Sequence, residues 1–232
     1  MKLRFFLILL ALIIEGCATP SAPYVMLPLD EQPMYGGLDR QSIPEVKKGD
    51  EDFIRKTSAA FGGRERAAAA WVDQGFRFYK SDNLKFAMRR FNQAWLLDPK
   101  NPEVYWGFGV VLHDRDQAFA AYDMLKRAYD LGFRNPGFLA DLGKMALVRI
   151  VERPDLSESQ KAAFRNESEQ YFEEAVKSQT SLAYIYECWA TARYWDKDYK
   201  GAWEKIAIAR KYGELPSPGF LDVLSAKMPE PK

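Results

Sequence analysis

A pattern of large apolar, small and polar positions recurs along the middle of the chain with a period of 34 residues. Seven positions mark the first copy: Trp71, Gly75, Phe78, Ala87, Phe91, Ala94 and Pro99. One period later the same places hold Tyr105, Gly109, Leu112, Ala121, Leu125 and Ala128, and a further period gives Leu139, Leu142, Gly143 and Ala146. A fixed period of this length is typical of proteins built from small repeated supersecondary units.

The period is interrupted once, after Ile150. The pattern of a second helix returns about 13 residues late, at Ser168, Phe172 and Ala175. From there the offset is 34 again, and a fourth copy contains Tyr186, Trp189, Ala190, Ala202, Ile206 and Ala209. We therefore expect the third copy to carry an insertion near residues 151–165.

Each copy predicts a pair of antiparallel helices. Gly75, Gly109 and Gly143 stand in otherwise helical stretches, where glycine costs about 1 kcal/mol relative to alanine. Glycine at the same place in three copies indicates that two helix backbones approach closely there, with large side chains filling the space beside them. Asn101-Pro102 and Asn135-Pro136 each fit a helix start, with asparagine as N-cap and proline in the first turn.

The spacing of residues 71–99 resembles the tetratricopeptide repeat (TPR) signature, although Gln74, Phe133, Arg193 and Glu214 depart from it in single copies. The resemblance covers roughly residues 68–213. It implies an all-α fold, a TPR-type α-α superhelix of about four helix pairs with a C-terminal capping helix. Within a domain at 64–228, the repeats are expected at about 68–101, 102–135, 136–182 and 183–216, with the cap at 217–228.

The N-terminus predicts a targeting segment at residues 1–16. Lys2 and Arg4 precede an apolar run of ten residues, which is too short for the roughly 20 that span a bilayer. Ile14-Glu15-Gly16-Cys17 resembles the lipobox of bacterial lipoproteins, with Glu15 at a place that usually holds a small uncharged residue. The resemblance implies a lipid on Cys17, and Ala18 points to the outer membrane. The alternative is an ordinary secretory signal.

Residues 17–49 predict a tether, because five prolines and Gly36-Gly37 interrupt any regular element. Two apolar patches, Tyr24–Leu27 and Met34-Tyr35, are unusual for a solvated linker and could dock on the folded part. Residues 50–63 predict a short helix that ends in a hinge at Gly62-Gly63.

Composition and candidate chemistry exclude several classes of function. The chain has 33 basic and 32 acidic side chains, so removal of Lys2, Arg4 and Glu15 with the first 16 residues leaves a formally neutral protein. Such a chain has no electrostatic footprint for nucleic acid. His113 is the only histidine, and no CxxC pair accompanies Cys188, so we expect no metal, no cofactor and no enzymatic activity.

By resemblance, the first helix of each TPR lines a concave groove. The groove positions that we expect to bind a partner are Val72, Phe76, Tyr79, Trp106, Val110, His113, Lys144, Leu147 and Tyr194. The corresponding places elsewhere hold Ala69, Glu103, Gly137, Ala140, Tyr184, Glu187 and Thr191. These positions lack the basic and asparagine residues of carboxylate-clamp TPRs, so recognition of a free C-terminus is not expected.

The sequence therefore predicts a non-catalytic adaptor in the bacterial cell envelope, anchored by a lipid at Cys17 and facing the periplasm. Its aromatic and aliphatic groove would bind a segment of another envelope protein. One alternative is a self-assembling structural lipoprotein, a homo-oligomer or a chain whose own tether fills the groove. A periplasmic hydrolase is a minor alternative.

Overall fold

The computed structural model describes residues 27–153, 155–213 and 217–232, and in these ranges the chain forms helices without strands. The prediction of an all-α fold is confirmed. The ten helices are α1 Pro44–Phe61, α2 Arg64–Lys80, α3 Leu84–Leu97, α4 Pro102–His113, α5 Ala118–Asp130, α6 Pro136–Glu152, α7 Glu158–Val176, α8 Leu182–Trp195, α9 Tyr199–Lys211 and α10 Pro218–Lys227.

The helices pack in adjacent pairs, α2 with α3, α4 with α5, α6 with α7 and α8 with α9. Successive pairs join because first helices also contact first helices, α2 on α4 and α6 on α8, while α3 packs on α4 and α5 on α6. One apolar core runs through α2 to α8, and a smaller cluster around Trp203 and Leu224 joins α9 to α10. The expected capping helix is therefore present at the end of the array.

Asparagine side chains cap the helix N-termini at both Asn-Pro pairs predicted from the sequence. Asn101 and Asn135 accept backbone N–H groups of α4 and α6, each with proline at the next position. Ser157 and Gln160 form a reciprocal capping box at the start of α7. α6 and α7 have 17 and 19 residues, against 12 to 14 in α3, α4, α5, α8 and α9, so the insertion lengthens this hairpin.

The glycines of the pattern lie where helices touch. A Cβ on Gly75 would come within 2.4 Å of the Phe91 ring, and one on Gly107 would come within 2.3 Å of the same ring. Phe91 is therefore clamped between α2 and α4, and a Cβ on Gly109 would lie 2.5 Å from Leu125. The contact at Gly107 had no counterpart in the sequence prediction.

The N-terminal region differs from the predicted tether. α1 begins at Pro44 and not at residue 50, because Pro44 takes the first helical position and the polar residues that follow continue the helix. α1 ends at Phe61, and both Gly62 and Gly63 have positive φ, as a break between two helices requires. The boundary of the tether at residue 49 is therefore wrong, because α1 begins six residues before residue 50.

Residues 27–43, here called the strap, lie across α3. Asn92, fully buried on α3, donates to the carbonyls of Asp30 and Gln32 at 3.0 and 2.8 Å and accepts the N–H of Tyr35 at 3.3 Å. The carboxylate of Glu31, also buried, pairs with Lys85 and Arg89. The apolar patch Met34-Tyr35 therefore docks on the folded domain, as one reading of the sequence suggested.

The predicted signal segment 1–16, Cys17 and most of the patch Tyr24–Leu27 lie outside the described residues. Within the described ranges, no helix combines the length and the apolar character that a membrane crossing requires.

Candidate functional site: an aromatic cavity between the first helices

The first helices of the four pairs enclose an open cavity of about 500 Å³. α2, α4 and α6 supply most of its wall, and α8 contributes Tyr184. The lining residues are Val72, Asp73, Phe76, Tyr79, Lys80, Glu103, Trp106, Gly109, Val110, His113, Asp114, Leu125, Asp141, Lys144, Met145 and Tyr184. A concavity of this size, with ring side chains and a few polar groups, is typical of ligand-binding sites.

Seven of the nine groove residues expected from the sequence lie together in this cavity: Val72, Phe76, Tyr79, Trp106, Val110, His113 and Lys144. Val72 and Val110 are buried and form its floor. Leu147 is only 3% exposed and belongs to the core, because α8 packs directly on α6. Tyr194 lies against Tyr199 and Phe220, since the capping helix covers this end of α8.

Ring contacts between repeats hold the apolar wall in place. The rings of Phe76 on α2 and Trp106 on α4 are 4.8 Å apart, and Phe76 also meets the edge of Phe91 at 5.1 Å. Trp106 further contacts Phe133 at 5.7 Å and Phe138 at 6.3 Å. Trp106 is therefore both a wall of the cavity and part of the packing between the second and third pairs.

A buried carboxylate joins three helices beneath the wall. Asp141 on α6, 6% exposed, accepts the indole N–H of Trp106 at 3.0 Å and the hydroxyl of Tyr184 at 2.6 Å. The ammonium of Lys144 lies 3.9 Å from the same carboxylate. Burial raises the pKa of the Tyr184 phenol, and the negative charge of Asp141 raises it further. These contacts keep the phenol protonated as a hydrogen-bond donor and fix the positions of Trp106 and Tyr184.

Two carboxylates mark the end of the cavity that lies toward the helix N-termini. Asp73 and Glu103 each precede a ring of the wall by three residues, Phe76 on α2 and Trp106 on α4. Asp73 and Glu103 are 30 positions apart and so do not match in the 34-residue period, but each lies about one turn before one of the two contacting rings. Burial, followed by repulsion from Asp73, raises the pKa of Glu103.

The opposite end of the cavity contains the only histidine. Burial, followed by the positive charge of Lys144, lowers the pKa of His113, so its imidazole is neutral at pH 7. Burial and then the neighbouring Asp114 raise the pKa of Tyr79. Burial disfavours the charged form of Lys144, but the neighbouring carboxylates of Asp141 and Asp114 favour it, and its pKa is raised. This end is therefore polar and contains charges of both signs.

Cys188 lies behind Tyr184 and Lys144 on α8. Its side chain is buried, and burial raises the pKa of the thiol to about 12. The thiol is therefore protonated at neutral pH and packs as a small apolar group. In the ranges that the structure covers, no cluster of three or more histidine, cysteine or acidic side chains could hold a metal ion.

Several lining residues were absent from the sequence prediction. Asp73, Lys80, Asp114 and Asp141 lie one position away from the expected groove positions, and Met145 follows Lys144. Asp141 alone carried a signal, because it is a single acid within the apolar run from Phe138 to Leu142. A carboxylate at such a place is buried and needs hydrogen-bond donors from other helices.

The strap does not occupy the cavity. None of the described residues 27–43 lines it. They contact α3, which does not border this space, and also the side chains of Asp50, Arg115 and Arg127. Comparisons with known proteins identify no relatives: no family model matches the chain, and no curated protein matches it. The likeness to TPR proteins therefore rests on the residue pattern.

Proposed function

We propose that this protein is a TPR-type adaptor that binds a segment of another envelope protein in the cavity between its first helices. The observation that carries this proposal is the cavity itself, a space of about 500 Å³ with ring side chains from the first, second and fourth helix pairs. Interfaces on this scale take most of their binding energy from aromatic side chains in such central pockets.

The position of the strap supports an external occupant. Had residues 27–43 crossed the first helices, the chain would fill its own groove, as one alternative reading of the sequence required. Their contacts with Asn92, Arg89 and Lys85 direct them over α3 instead. A second copy of the chain is another occupant that the experiment below detects.

A binding role without catalysis fits the chemistry of the cavity. His113 is held neutral by burial, and Asp141 is occupied by Trp106, Tyr184 and Lys144. The Cys188 thiol is buried with its pKa raised to about 12, which disfavours the thiolate needed for nucleophilic attack. The polar groups therefore act as fixed hydrogen-bonding and charged contacts in this proposal.

The proposed function includes a lipid anchor at Cys17. A lipid on Cys17 would attach the chain to the outer membrane on its periplasmic side. Leu27, the start of the strap, is ten positions after Cys17. At full extension this stretch reaches about 35 Å, so the strap on α3 would keep that side of the domain near the membrane and leave the cavity accessible from the periplasm.

Site-specific photocrosslinking in the native envelope tests the proposal. A photoreactive residue replaces Tyr79 in the cavity, and a matched control replaces Asp123, which is exposed on α5. We expect an adduct of defined mass from position 79 and none from position 123. An adduct of twice the chain mass would instead identify a second copy. Equal adducts from both positions, or none from position 79, would contradict the adaptor proposal.

A further inference from the structure

Among the described residues, no ion pair neutralises the negative charge at the N-terminal end of the cavity. Asp73 on α2 and Glu103 on α4 both line the cavity, each about one turn before one of the contacting rings of Phe76 and Trp106. The ion pairs of the described chain leave out both carboxylates, although other acids of the surface, such as Asp130 and Glu158, have lysine partners.

The basic groups of the cavity lie elsewhere. Lys80 is the last residue of α2, about two turns beyond Asp73, and Lys144 is held near Asp141 on α6. Repulsion by Asp73, added to burial, is one reason that the pKa of Glu103 is raised. Two carboxylates that disfavour each other beside an apolar wall are stabilised by a cation placed between them.

We propose that the bound segment is a polypeptide that places a lysine or arginine side chain between Asp73 and Glu103. This inference rests on the adaptor function proposed above and specifies the chemistry of the partner. The charged head would meet the two carboxylates, while its methylene stem lies along Phe76 and Trp106, where the ring faces also attract a cation. Apolar residues of the same segment would occupy the floor formed by Val72 and Val110.

The geometry also explains why the site would reject acidic segments. Carboxylate-clamp TPRs need basic residues along the first helices, whereas this end of the cavity carries two acids. A segment with an acidic residue at this place would add a third negative charge to a partly buried site. The cavity therefore selects by repulsion as well as by attraction.

Selection of random displayed peptides on the full chain tests the inference. The same library is selected on the unchanged protein and on Asp73→Asn combined with Glu103→Gln, which keeps the side-chain shapes and removes both charges. Asp123→Asn combined with Glu173→Gln removes the same charge from exposed positions on α5 and α7 and is the matched control. Tyr79→Ala alters the cavity wall and identifies the peptides that bind there.

We expect Tyr79-dependent peptides to share a lysine or arginine at one position, and to bind at least about tenfold more weakly to the Asp73→Asn, Glu103→Gln variant. The Asp123→Asn, Glu173→Gln control should leave their affinity unchanged. Tyr79-dependent peptides without a shared basic residue would overturn this inference and leave the adaptor function in place. Selection that yields no Tyr79-dependent peptide would overturn both.

Discussion

The indole nitrogen of Trp106 donates a hydrogen bond to the buried carboxylate of Asp141 at 3.0 Å, which ties the second helix pair to the third. Tyr184 of the fourth pair donates to the other oxygen of the same carboxylate at 2.6 Å. One acid thus connects three successive first helices directly beneath the cavity. The shape of the cavity depends on this contact, because Trp106 and Tyr184 are both part of its wall.

Replacing Asp141 should destabilise the fold. Asp141→Ala leaves the indole N–H and the phenol without their acceptor and removes the carboxylate near Lys144. We expect a loss of about 3 kcal/mol in the free energy of unfolding, measured by urea denaturation. Asp123→Ala, at an exposed position on α5, should change it by less than about 0.5 kcal/mol. Similar losses for the two variants would show that Asp141 does not join the pairs.

Replacement of two helical glycines by alanine should change the stability of the fold in opposite directions. Gly49 lies in α1 with no atom within 4 Å of an added Cβ, so Gly49→Ala should stabilise the fold by up to about 1 kcal/mol. Gly75→Ala would press against Phe91 at 2.4 Å and should destabilise it by about 2 kcal/mol. Thermal unfolding of both variants measures this difference. Stabilisation by Gly75→Ala would contradict the close approach of α2 and α3.

Removal of the Asn92 side-chain amide should weaken the attachment of the strap to α3. Asn92→Ala removes two donated bonds and one accepted bond between α3 and the strap. We expect amide hydrogen exchange at Glu31 and Gln32 to accelerate about 30-fold, which corresponds to roughly 2 kcal/mol. Asn166→Ala, exposed on α7, is the control and should leave exchange in the strap unchanged. Unaltered exchange after Asn92→Ala would show that other contacts hold the strap.

Glu103 should lower the stability of the fold at neutral pH. Its pKa in the folded state is raised by burial and by Asp73, so the folded protein favours the protonated carboxyl. The resulting penalty is absent below about pH 4, where the unfolded state is also protonated, and is complete once the pH exceeds the folded pKa.

Glu103→Gln should therefore raise the melting temperature at pH 7 and have no effect near pH 4. The gain should not exceed about 1 kcal/mol, because the carboxylate is only partly buried and solvent screens the repulsion. Glu173→Gln at an exposed position provides the control. A fall in melting temperature at pH 7 would mean that the charge of Glu103 stabilises the folded state, contrary to the repulsion that we infer.

The repeat pattern was sufficient to predict the helix pairs. α2 and α3 form the helix pair expected at about residues 68–101, because glycine, alanine and ring side chains occur where the two helices must touch, as at Gly75 and Phe91. Seven groove residues came together for the same reason, since positions on one face of successive first helices face one space. Membership of the TPR family stays a prediction from these residues.

Other features depend on contacts that a period cannot encode. Asn92 looks like a surface residue in the sequence, and its burial depends on a strap that lies about 60 positions earlier. Leu147 and Tyr194 were placed in the groove by extrapolating the spacing, but α8 covers the first and α10 covers the second. The role of Asp141 in the site could not be predicted, because its hydrogen-bond donors, Trp106 and Tyr184, come from the neighbouring pairs.

Hydrogen exchange of the full chain, with and without a peptide selected on it, tests the central claim most directly. Docking between the first helices should slow exchange along α2, α4 and α6 and leave the second helices α3, α5 and α7 unchanged. Protection confined to those second helices or to the strap, with none along α2, α4 and α6, would contradict the account.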